Sequence, residues 1–162
     1  MPFIRPAVDT DGPAIAALVA GVFAEYEGCP FDLAEFPELA APASHYAARG
    51  GALHVLAGED EPGRVVGSFA YSRVDGDGTF ELHKVYLAAP LRGAGWAGRL
   101  YDHAVMEARS RGARRLRLWT DTRFASGHRF YEKRGFRRLP VTRFLADSTN
   151  AWEYAYVAEL GR

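Results

Sequence analysis

The stretch PLRGAGWAGRLYDHA, Pro90 to Ala104, decides the fold. It sets Gly93, Gly95 and Gly98 at the mouth of a helical pattern. The first N–H groups of a helix lack partners and its dipole is positive there. Glycine also lets a ligand come close, so such a loop suits a phosphate. Two motifs fit the same letters. Gly93-x-Gly95-x-x-Gly98 spells a dinucleotide fingerprint, and Arg92-x-x-Gly95-x-Ala97 spells a different phosphate loop. A third reading is a glycine-lined turn that only packs a helix on a sheet. The surroundings separate them.

Upstream, ALHVLAG, RVVGSFAYSRV and TFELHKVYLA are β-rich runs divided by the turn signals EDEPG and DGDG, the pattern of an antiparallel meander. Before them come a short strand, FIRPAV, and a helix over DTDGPAIAALVAGVFAEY. In that helix Asp9 to Asp11 are capping candidates, and Ile15, Leu18, Val19, Val22 and Phe23 form a core stripe. FDLAEFPELAAPASHYAARG is a less regular helical region interrupted by Pro37 and Pro42. Downstream of the loop, Ala97, Leu100, Ala104 and Ala108 share one helical face and Gly112 ends the helix. RRLRLWTD alternates, SGHRFYEKRG is a short helix, and FRRLPVTRFL and AWEYAYVAEL read as two closing strands. The order is β-α-α-β-β-β-α-β-α-β-β. It predicts one α+β domain over residues 1–162, with a mixed, mostly antiparallel central sheet of about seven strands flanked by helices.

A dinucleotide site demands an acidic residue about 20 residues on and further βα units completing a parallel sheet. Asp121 ends the next strand but stands too far along, and the remaining chain finishes in a hairpin. A nucleotide-dependent oxidoreductase is therefore excluded on topology.

With Arg92-x-x-Gly95-x-Ala97 between the fourth strand and the third helix, the element order resembles the GNAT superfamily of acetyl-CoA-dependent N-acetyltransferases. VYLAAPLRGAG, a strand running through proline into the loop, resembles it too. SGHRFYEKRGF is similar to that family's second signature, here Phe130, Tyr131, Gly135 and Phe136. The chain departs from the family at Phe124 and Gly127, where asparagine and alanine are usual. The resemblance implies acetyl-CoA as acetyl donor, held by Val85, Leu87, Arg92, Gly93, Ala94, Gly95, Trp96 and Ala97. It also implies Tyr131 as the acid that protonates the coenzyme A thiolate, and a backbone N–H near Leu87 as oxyanion donor.

Acetyl transfer to an amine needs a neutral amine, oxyanion donors and a proton for the thiolate. Glu81 is the candidate base, on the strand leading into the loop, with His83 as its rival. Strict alternation puts both on one face with Val85 and Leu87. Family members carry a base glutamate at the spacing Glu81 has from Arg92. A surface Glu81 paired with an arginine is the plain alternative. Glu25 and Tyr26 are the candidate acceptor-binding residues, an acidic and an aromatic group suited to an ammonium. The expected acceptor is an amine on a small molecule or peptide. The competing reading is a non-catalytic acyl-CoA-binding or sensor module.

Composition narrows the rest. Twenty basic residues balance twenty acidic ones, so no net field recruits nucleic acid or a membrane surface. The arginines of RSRGARRLRL alternate with apolar residues and read as a solvated face. The single cysteine, Cys29, allows no internal disulfide, and the five histidines lack H-x-x-x-H spacing, so no metal is expected. No membrane span or signal pattern is present, which predicts a cytoplasmic protein. AWEYAYVAEL is apolar enough either to pair across a homodimer or to lie inside the sheet.

Overall fold

The computed structural model describes residues 1–161. The predicted meander forms because its turns carry their own hydrogen bonds. Between β3 (Val65–Arg73) and β4 (Thr79–Leu87), the Asp75 carboxylate accepts from the N–H groups of Asp77 and Thr79 at 2.9 and 3.2 Å. Gly78 there has a φ of 85°, a left-handed conformation that favours glycine. The other strands are β1 (Phe3–Pro6), β2 (Ala52–Ala57), β5 (Arg115–Asp121), β6 (Arg137–Phe144) and β7 (Trp152–Glu159). The helices are α1 (Gly12–Phe23), α2 (Pro42–Ala47), α3 (Trp96–Ser110) and α4 (Ala125–Lys133).

All seven strands join one sheet in the order β1-β2-β3-β4-β5-β7-β6, antiparallel except between β4 and β5. The closing strand β7 thus lies inside the sheet, between β5 and β6, which settles the two alternatives left open for it. Alternation in β5 buries Leu116 and Leu118 and turns Arg115 and Arg117 outward, where each meets a carboxylate. One sheet face packs Phe69, Tyr71, Phe80 and Leu116 under Leu100 and Ala104 of α3. The other packs Leu53, Val55 and Ala70 against Ile15, Val19 and Phe23 of α1.

Asp9 and Asp11 do not cap α1 as expected. Asp9 accepts from the backbone and hydroxyl of Ser44, tying down α2, and Asp11 receives both terminal nitrogens of Arg5 at 2.8 Å. Both carboxylates are thus taken up outside α1, Asp11 by the charged Arg5 and the Val8 N–H, Asp9 by the start of α2.

Two irregularities position the site. First, β4 and β5 pair only over Thr79–Glu81 and Arg115–Arg117. Beyond Glu81 the strands part, leaving one edge of β4 without a strand partner. Second, β4 bulges at Lys84, whose φ is 52°, and the Ser68 hydroxyl donates to the Lys84 carbonyl at 2.6 Å. The extra residue shifts the alternation. Glu81, His83 and Lys84 turn to the other face: His83 packs 5.5 Å from the Tyr46 ring of α2, and Lys84 pairs with Glu38 in the short turn before α2. Val85 and Leu87 pack on the α3 side. The expectation that Glu81 and His83 share a face with Val85 and Leu87 is therefore corrected, since period-2 alternation does not survive a bulge.

Candidate active site

The loop before α3 has the geometry of an anion cradle. Gly93 and Gly95 adopt φ of 82° and 84°. Among the described residues, none of the N–H groups from Gly93 to Gly98 donates to a backbone carbonyl, whereas Arg92 and Arg99 on either side do. Six unpaired donors at a helix N-terminus, curled by two left-handed glycines, form a nest for a phosphate or pyrophosphate. Gly98 serves closeness instead: a Cβ there would stand 2.8 Å from Arg134 Nη2.

From this nest a groove of about 410 Å³ runs along the free edge of β4. Val85, Leu87, Arg92, Gly93, Gly95, Trp96 and Ala97 line it, as expected. Ala94 is exposed and off its wall, so only its backbone faces the nest. Trp96 is half-buried against the α3 side of the core, with the Arg99 guanidinium 4.6 Å over its ring. Phe124, at the asparagine position of the resemblance, packs tilted against Tyr26, ring centroids 4.7 Å apart, and closes one wall.

Arg92 is not free. Its guanidinium donates to Glu25 and, at 2.9 and 3.1 Å, to the Leu87 carbonyl. Glu25 and Tyr26 follow directly on α1 and land at the mouth of the loop. Tyr26 lines the groove and Glu25 meets Arg92 beside it; neither lines the cavity that holds Glu81. Opposite charge placed Glu25 there: the Arg92 guanidinium holds its carboxyl below the usual carboxylate range.

A second cavity, about 280 Å³, opens where β5 has left β4. Glu81 lines it, accepting from Arg117 Nε at 2.9 Å and lying 3.5 Å from His83 Nε2. The arginine pairing anticipated as the plain alternative is thus present, with Glu81 on the cavity wall as well. Burial pushes His83 down to about 4, against the pull of Glu81 and helped by Lys84 and His45, so its imidazole is neutral at pH 7. Its Nε2 lies 2.8 Å from the Ser72 hydroxyl.

Sequence reading missed Glu153 on β7, which lines this cavity beside Asp121, its register partner on β5. Burial raises its carboxyl, although Arg143 donates to it at 2.7 Å. Asp121 is held by two nitrogens of Arg123. No local spacing marks Glu153; only the insertion of β7 next to β5 brings it here.

Tyr131 joins the two spaces. It lines both cavities, together with Val85, Tyr86, Phe124 and Gly127. The side chain is buried, which raises the phenol well above its ordinary value, with no hydrogen bond contributing. The hydroxyl is thus neutral and stands at the junction of the two spaces.

Comparison with known proteins agrees with this arrangement. The Acetyltransferase (GNAT) family matches residues 19–136, and the chain belongs to that family of acyltransferases, whose members generally use acyl-CoA. No curated protein matches by sequence. Among solved structures, a GNAT-family acetyltransferase from Staphylococcus aureus Mu50 superposes with a TM-score of 0.83 at 19% identity, covering 99% of both chains. An acetyltransferase from Streptococcus agalactiae 2603 gives 0.78 at 24% over 98% of both. A ribosomal-protein-alanine N-acetyltransferase from Brucella melitensis gives 0.71 at 20%, covering 98% of this chain and 99% of its own. At these identities the likeness is one of fold. No helix among the described residues is long and apolar enough to cross a membrane.

Proposed function

We propose that this protein is an acetyl-CoA-dependent N-acetyltransferase, transferring directly to a primary amine of a small molecule or peptide in a ternary complex. The observation that carries the reading is Tyr131, shared by a groove that starts in an anion cradle and by a cavity lined with carboxylates. The donor would lie in the groove, its pyrophosphate on the N–H groups of Gly93 to Gly98. Its pantetheine amides would complete the free edge of β4 in strand fashion. The amine would enter from the other cavity. At about 280 Å³ that space suits a small amine or a peptide end, whose ammonium would donate to the Glu81, Asp121 and Glu153 oxygens beside the arginines that pair with them.

Each residue then has a step. Glu81, with neutral His83 beside it, takes the proton that the ammonium must lose. An alkylammonium of pKa near 10.4 is neutral only about one part in two thousand at pH 7. The amine nitrogen bonds to the thioester carbon while a β4 N–H near Leu87 holds the oxyanion. The carbon–sulfur bond breaks, the Tyr131 hydroxyl gives its proton to the leaving thiolate, and the second proton that the nitrogen loses as the amide forms restores the phenol.

Calorimetric titration with acetyl-CoA, with NADPH as control, tests the groove, and an amine panel followed by thiol release tests transfer. Micromolar binding of acetyl-CoA alone is expected. Folded protein that ignores acetyl-CoA would overturn the proposal. Binding without turnover across the panel would favour the acyl-CoA-sensor reading.

A further inference from the structure

Outside both cavities, three side chains converge on the α3 side of the sheet. His54 of β2 is only 3% exposed, and its Nδ1 has no hydrogen-bond partner. Its Nε2 lies 3.3 Å from Glu107 Oε1. His103, one helical turn before Glu107 on α3, brings its Nε2 to 3.6 Å of the same oxygen. One donor atom from each residue falls within 4.8 Å of the others. None of the three lines the groove or the acceptor cavity.

We propose that His54, His103 and Glu107 form a binding site for a divalent transition-metal ion of the zinc class. The spacings support this. A charge-assisted hydrogen bond closes to about 2.8 Å, shorter than either separation here. Four ligands at about 2.0–2.1 Å in a tetrahedron stand roughly 3.3–3.4 Å apart, close to the 3.3 and 3.6 Å that the two imidazoles keep from Glu107 Oε1. Two imidazoles and one carboxylate select zinc, cobalt or nickel over calcium or magnesium. The carboxylate is already oriented: the Tyr71 hydroxyl donates to Glu107 Oε2 at 2.9 Å, leaving Oε1 for the ion. His103 and Glu107 are about one-third exposed, so the ion can enter and keep a water as fourth ligand. The Arg111 guanidinium, 5.5 Å over the Tyr71 ring, is the nearby positive charge that opposes binding. A bound ion would pin β2 to α3, the helix whose first turn forms the phosphate cradle.

The sequence hides this site. His103 and Glu107 make a helical i, i+4 pair, and the third ligand arrives from a distant strand.

Tag-free protein, stripped with chelator, is titrated with Zn²⁺ by calorimetry and with Co²⁺ by visible absorption. Thermal unfolding is followed with and without Zn²⁺. The expected result is one site per chain, tetrahedral Co²⁺ bands and a raised melting temperature with Zn²⁺. His103→Ala, on an exposed helix face, and Glu107→Gln, which keeps the Tyr71 contact, should each weaken binding at least tenfold. Wild-type protein that binds no Zn²⁺, or binds it no more tightly than His103→Ala, would overturn the site. In either case the cluster would be a set of shared protons between imidazoles and a carboxylate. Acetyl-CoA titration of the same variants shows whether they remain folded.

Discussion

Arg92 Nη2 donates to Glu25 Oε2 at 2.8 Å, joining the cofactor loop to the chain just past α1. The same guanidinium holds the Leu87 carbonyl, so one side chain spans the last residue of β4, the loop and the end of a helix. Arg92 therefore braces the cradle, which on the proposed reading leaves the phosphates to the backbone N–H groups. Glu25→Gln should weaken acetyl-CoA binding by about fivefold, near the ~1 kcal/mol ceiling for an exposed pair. Arg92→Ala should cost at least as much, and the double variant less than the sum. Tighter binding by Glu25→Gln would mean instead that the freed arginine reaches the phosphates.

Tyr131 touches both cavities and Glu81 only one, so their variants should separate. Tyr131→Phe should lower kcat by about 10²-fold, the lower range for a lost general acid, with acetyl-CoA affinity within about twofold of wild type. Glu81→Gln should lower kcat/KM for the amine by a similar factor and flatten the acidic limb of its pH profile. Glu153→Gln is the control for the second carboxylate. Should it, and not Glu81→Gln, remove that limb, Glu153 is the base.

Gly95 caps α3 with φ 84° and ψ 3°, and a Cβ there meets nothing within 4 Å. Replacement by alanine is thus opposed by backbone strain alone, about 1–2 kcal/mol. The added methyl also crowds the cradle's mouth. Gly95→Ala should remain folded, lose about that much stability in urea melts, and bind acetyl-CoA at least tenfold more weakly. Unchanged affinity would place the phosphates elsewhere.

The features legible in the sequence were those set by local chemistry. Glycine placement marked the cradle, alternation marked Leu116 and Leu118 as core and Arg117 as outward, and DGDG marked the β3–β4 hairpin. What stayed hidden depends on long-range placement. The Lys84 bulge, pinned by Ser68 from a neighbouring strand, reversed the facing of Val85 and Leu87 relative to Glu81. Glu153 reached the Glu81 cavity through β7 insertion, and Glu25 was drawn to Arg92 across the fold. Sequence spacing carries no term for any of these.

His83 gives the protein an acid-sensitive stability. Burial holds its imidazole at about 4 in the folded state, against 6.5 when unfolded. Between those values the unfolded chain binds the extra proton, so stability rises with pH across the window and falls as pH drops through it. The full loss, below about pH 4, is on the order of 3 kcal/mol from this side chain. Urea unfolding of the wild type between pH 7 and 4 should show that slope, and His83→Gln should flatten it. Glutamine keeps a polar group toward Ser72 without a proton to take up. A slope unchanged in His83→Gln would assign the acid sensitivity to the other histidines that burial holds low, His45 and His54.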